Sequence, residues 1–200
     1  LVSYPLPGTV VPPWLAEGTA QYMYDDADWD NWDSHRDMIL RDRVINDNLL
    51  SFTEMNTFGK KGIGNESTYN SGFALATYIA NEYGSDALSK VMEELSSPLQ
   101  FSINKAILNV TGTSGRDIYQ DFKTAVEAKY NTLVDPIRLM PVQGEKLQIE
   151  GTTNIHPKWH PNKNAYLYLS NKGNDYFGQT NLYYHDLNTG EDKKIKSGVF

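Results

Sequence analysis

Glu17 is followed by a glycine inside a stretch, Pro13 to Tyr22, that otherwise suits a helix. Most helical glutamates only solvate a surface. Gly18, however, costs a helix interior ~1 kcal/mol relative to alanine, so a packing or functional reason for it is expected. Tyr69, at the head of Tyr69-Asn70-Ser71-Gly72-Phe73-Ala74-Leu75, is the second candidate. A phenol is a neutral hydrogen-bond donor at pH 7; its bland reading is a helix-starting tyrosine packed on the core. The histidines are His35, His156, His160 and His185. His156 and His160 have the i, i+4 spacing of a helical metal pair, but Pro157 and Lys158 stand between them in a strand-like region, which argues against a catalytic pair. Asp26, Asp28 and Asp30 alternate as oxygen ligands of calcium can. The glycine and closing glutamate of a calcium loop are missing, so a solvated acidic loop is the reading.

These residues must be positioned by elements, and the first two-thirds reads as helix. Pro12-Pro13 puts proline where a first turn tolerates it, and Trp14 to Tyr24 has no breaker except Gly18. Ser34 is the expected cap of a segment running to Asn46. Asn56 to Thr68, with Gly59, Gly62 and Gly64, reads as a loop. From Tyr69 to Tyr83 nearly every side chain is apolar or small, which predicts a helix buried on most sides. Leu88, Val91, Met92 and Leu95 fall at i, i+3, i+4 and i+7, the spacing of a one-faced helix. Ile103 to Ile107 mark a short helix stopped by Gly112; Ser114 caps a longer one, bounded by Pro136. After about Gly144 the period becomes that of strands, in Ala165 to Ser170 and Asn181 to Leu187, with Asn188-Thr189-Gly190 as a hairpin turn. An α+β chain in two parts follows: a helical 1–143 and an antiparallel sheet over 144–200, with Trp159, Leu167 and Leu182 expected inward.

Composition narrows the function classes. A net charge of −7 argues against a nucleic-acid partner, which needs a basic face. The chain has no cysteine, so thiolate metal sites, disulfides and cysteine nucleophiles are excluded. No apolar run approaches the ~20 residues that span a bilayer, and no transmembrane segment is expected. The start, Leu1-Val2-Ser3-Tyr4-Pro5, has no initiator methionine and no signal-peptide core, and reads as a cut inside a longer polypeptide.

Pro13-Trp14-Leu15-Ala16-Glu17-Gly18-Thr19-Ala20-Gln21-Tyr22 resembles the W-L-x-E-G-x-A-x-Y segment of gluzincin zinc metallopeptidases, and Tyr69 to Leu75 resembles the Y-x-x-G-x-A-L segment of their M1-like branch. The resemblance covers about residues 10–130. It implies that Glu17 is the third zinc ligand, beside two histidines of an H-E-x-x-H helix, and that the Tyr69 hydroxyl stabilises the oxyanion. No H-E-x-x-H precedes Glu17 in this chain, so the chain as given is expected to be inactive and to hold no zinc tightly.

Ile155 to Lys163 with Tyr166 to Ser170 resembles the TolB-like propeller repeat P-x-W-S-P-D-G-x-x-I-x-F-x-S, and Asn181 to Gly190 its L-Y-x-x-D-x-x-T-G hairpin. His160 replaces the serine, and Asn162-Lys163 replace aspartate-glycine. One blade cannot close a propeller. Together the resemblances imply a zinc-dependent peptidase acting on a peptide or protein substrate, its propeller open to a protein partner, in an extracytoplasmic setting. The competing expectation is a non-catalytic peptidase-like scaffold that binds protein or cell-envelope partners. The sequons at Asn65 and Asn109 are short enough to arise by chance.

Overall fold

The computed structural model describes residues 11–24, 31–59, 63–174 and 178–199. The acidic triplet Asp26, Asp28 and Asp30, together with Gly62 and the Leu1–Pro5 start, lies outside them. The chain divides into two compact units, Leu1–Pro141 and Val142–Phe200. The first holds α1 (Pro13–Met23), α2 (Ser34–Ile45), α3 (Asn65–Tyr83), α4 (Ala87–Ser96), α5 (Ile103–Thr111) and α6 (Gly115–Leu139); the second holds β1 (Asn154–Trp159), β2 (Ala165–Ser170), β3 (Thr180–Asp186) and β4 (Glu191–Val199). The class is therefore α+β with the helices first. Among the described residues no helix is long and apolar enough to cross a membrane.

In the helical unit α3 is the central element. Leu75, Ala76, Ile79 and Ala80 join Trp14 and Leu15 of α1, Leu88 and Val91 of α4, Ile107 of α5 and Ile118 and Phe122 of α6 in one buried core. Three boundaries differ from expectation. The α3 helix starts at Asn65 rather than Tyr69, because tertiary partners hold the two hydroxyl residues of its first turns. Arg43, itself buried, donates to Ser67 Oγ at 2.7 Å and to the Asn48 carbonyl at 3.0 Å, while Thr68 Oγ1 donates to the Thr57 carbonyl at 3.2 Å. Asp33, not Ser34, caps α2, its carboxylate accepting the Arg36 N–H at 2.9 Å. The α6 helix continues past Pro136 to Leu139. Proline there removes one hydrogen bond from an exposed last turn, a smaller loss than in a buried helix interior.

A polar lock joins α2 to α6. Asp37 accepts from the hydroxyl of fully buried Tyr130 at 2.8 Å and from Lys129 Nζ at 3.0 Å. Burial is the largest single influence on the Asp37 carboxyl and opposes its charge. The hydrogen bonds from Lys129 and Tyr130 outweigh it, so the folded pKa lies below the ordinary 3.8. A depressed carboxylate contributes stability that is whole above pH 3.8 and is lost as pH falls through the folded value. Asp37→Asn is therefore expected to flatten the acid limb of helical-unit stability below pH 4, as read by urea midpoints over a pH series.

The sheet is an antiparallel meander in the order β1-β2-β3-β4. A bulge interrupts β1 between Ile155 and Lys158, where His156 takes a positive φ of 53°. Three or four strands are expected from the alternation and four are present, but the facing is reversed. Tyr166, Tyr168 and Tyr183 are the buried cluster, whereas Leu167 lies 37% exposed on the opposite face, beside half-buried Leu182. Trp159 shares the tyrosine side, edge-on to Tyr166 at 5.6 Å, but stands 67% exposed at its rim. Polar groups decide the facing. Lys172 Nζ sits 4.4 Å from the Tyr183 ring centre and 2.5 Å from Asp192, which also contacts His185 Nδ1 at 2.8 Å. Tyrosine supplies rings to this layer and leucine cannot bind its charges.

Candidate functional site

The α1 and α3 helices cross backbone to backbone, and glycine makes that possible on both sides. A Cβ on Gly18 would lie 2.3 Å from the Gly72 carbonyl oxygen, and one on Gly72 would lie 2.5 Å from that of Trp14. The helical cost of Gly18 is thus offset by an approach no larger residue permits. Trp14, fully buried one turn before Gly18, fixes the roll of α1 against Phe52, ring centres 5.8 Å apart.

That crossing carries Glu17, beside Gly18, to Tyr69, one turn before Gly72. The two half-buried side chains lie close together, near enough for the Glu17 carboxylate to act on the Tyr69 hydroxyl. Partial burial first, then the neighbouring Glu17 carboxylate, and lastly the charge of Glu66, raise the Tyr69 pKa above 10.0, so the phenol is neutral and a donor at physiological pH. Phe58 stacks on the Tyr69 ring at 5.7 Å with 26° between the planes.

The histidines are placed elsewhere in their units' architecture. His35 is exposed near the start of α2, and His156 and His160 belong to the strand region of the second unit; His185 lies in the Asp192 network. Among the described residues no three His, Cys, Asp or Glu side chains gather as a metal-holding group. Sequence reasoning missed Phe58, a loop residue between Thr57 and Gly59 with no periodic signal. It also missed the Lys172–Asp192–His185 network, whose members come from the turn after β2, from β4 and from β3 with no motif to join them.

Compared with protein-family models, with curated proteins and with solved structures, the chain matches none.

Proposed function

We propose that the helical unit is part of a zinc-dependent peptidase, in which Glu17 is the third metal ligand and Tyr69 the donor to the oxyanion of the tetrahedral intermediate. The observation that carries this reading is the meeting of Glu17 and Tyr69 across the glycine crossing. A ligand carboxylate and an oxyanion donor belong in one cleft, so their nearness is what the reading requires. A catalytic zinc takes three protein ligands and an open position. Glu17 supplies one, so these residues alone do not fit the ion, and the proposal places H-E-x-x-H outside this chain. Zinc bound there would supply Lewis acidity and an activated water; Tyr69 would donate its hydroxyl to charge developing on the peptide carbonyl oxygen.

For the second unit, the proposal is the first blade of a TolB-like propeller that binds a protein partner, and for the whole an extracytoplasmic setting. The four-stranded antiparallel meander supports the blade. One observation favours the second reading, a non-catalytic scaffold: among the described residues no three His, Cys, Asp or Glu side chains gather around Glu17 as a metal-holding group.

The test has two arms. The chain as given is expected to retain no zinc after dialysis against excess metal; one equivalent held at sub-micromolar affinity would show ligands beyond Glu17. A longer polypeptide carrying the preceding coding sequence is expected to contain H-E-x-x-H, to bind one zinc and to cleave peptides. In it Glu17→Gln is expected to lose the metal, and Tyr69→Phe to keep the metal while losing cleavage. Absence of H-E-x-x-H, or full zinc in Glu17→Gln, leaves the scaffold reading.

A further inference from the structure

We infer that Phe58 is a positioning residue for Tyr69, holding its ring so that the hydroxyl stays on the Glu17 side of α3. The inference rests on Tyr69 being the working donor of the site.

The loop before α3 is built to place this one side chain. A short 3-10 turn, Glu54–Asn56, anchors it through Met55, which is fully buried in the core. The next residue, Thr57, is tied to α3 by the hydrogen bond from Thr68. Just beyond Phe58, Gly59 turns the chain with a φ of +72°, a conformation that side chains rarely adopt, and a Cβ there would lie 2.8 Å from Asn65 Oδ1. Between these two fixed points Phe58 makes an offset stack with Tyr69, ring centres 5.7 Å apart, while remaining 39% exposed. A phenylalanine that exposed adds little to the core. What it does contribute is a planar contact that a rotated tyrosine would lose.

Tyr69 needs such a contact. A helical tyrosine has two common χ1 wells, which carry its hydroxyl to different parts of the helix surface. Two neighbours select between them here: Glu17 at the hydroxyl and Phe58 at the ring. Glu17 acts only at the polar end of the side chain, and a hydroxyl that must also turn to a substrate oxygen cannot depend on that one neighbour for its place. The ring contact survives such a turn.

The experiment is NMR of the 200-residue chain labelled with ¹³C at tyrosine Cζ, at one fixed pH, comparing wild type, Glu17→Gln, Phe58→Leu and Phe58→Tyr. Leucine keeps apolar bulk without a ring face; tyrosine restores the face. Glu17→Gln calibrates the Tyr69 resonance for a weakened hydroxyl contact. In Phe58→Leu the Tyr69 resonance is expected to move at least half-way to the Glu17→Gln position, and in Phe58→Tyr to return to wild type. A Phe58→Leu resonance coincident with wild type overturns the inference, as does a Phe58→Tyr variant that shifts as far as Phe58→Leu. Unchanged far-UV circular dichroism keeps the comparison within folded protein. Because no metal enters this measurement, it can fail while the peptidase reading survives, and succeed while zinc binding by the longer polypeptide fails.

Discussion

Alanine at position 18 is expected to cost the helical unit about 3 kcal/mol, towards the upper end of what overpacking usually costs. The added methyl would stand 2.3 Å from a carbonyl oxygen of α3 and 2.4 Å from its carbon, and backbone cannot swing aside as a flexible side chain can. The helices must part, and Trp14 and Leu15, both fully buried, are drawn away from the core they share with Leu75 and Ala76 of α3. Gly72→Ala meets the same obstacle from the other side, 2.5 Å from the Trp14 carbonyl oxygen. Once one methyl has forced the helices apart the second costs less, so the double variant should fall short of the sum. Urea unfolding followed by far-UV circular dichroism reads all three. A loss under 0.5 kcal/mol in both single variants would mean that the crossing is looser than described. Glu17 and Tyr69 should separate with the helices, so the Tyr69 titration should move back towards 10.0.

In the sheet unit, Lys172→Met is expected to cost about 3 kcal/mol, because it leaves a carboxylate largely buried without its cation. Lys172 and Asp192 side chains are 10% and 22% exposed, so solvent screens the pair weakly. Burial works against the lysine charge, yet Asp192 holds its pKa well above the ordinary lysine value. The ammonium also lies over Tyr183, whose ring it helps keep against Tyr168 at 5.6 Å. Losing the lysine therefore loosens the buried tyrosine cluster as well as the ion pair. Adding Asp192→Leu should recover most of the loss, since replacing both partners by apolar groups is close to neutral. Near-UV circular dichroism of the tyrosines during thermal unfolding checks both. If Lys172→Met costs less than ~1 kcal/mol, the pair behaves as a surface bridge.

Helices were legible wherever one face repeats, as at Leu88, Val91 and Leu95 of α4, or where a left-handed glycine stops the chain, as at Gly112 with a φ of 78°. Strands were legible from alternation. Tertiary bonds hid the rest. Nothing local marks Ser67 as the partner of Arg43, so the first turn of α3 read as loop. Alternation says that Leu167 and Tyr168 face opposite ways, yet not which side is covered; an ion pair contributed by Lys172 and Asp192 decided it. At the candidate site, Glu17 and Tyr69 were visible as motif positions and Gly18 as a glycine in need of a packing reason, but its partner, the backbone of α3 at Gly72, was not. Phe58 was invisible, because a loop side chain is placed by the anchors around it and not by a repeat.

The strand order carries a kinetic consequence. Every ladder of the sheet joins neighbours in sequence, from Trp159 with Tyr166 to Asp186 with Glu191, so each closure is short and little chain entropy is spent before a contact forms. The helical unit has the opposite character. Its Asp37–Tyr130 bond spans 93 positions and its Tyr119–Leu50 bond 69, and α1 must find α3 past the whole of α2. Rates of folding follow such separations more closely than they follow secondary-structure type. In this chain the β part should zip quickly, and the slow search belongs to the helices.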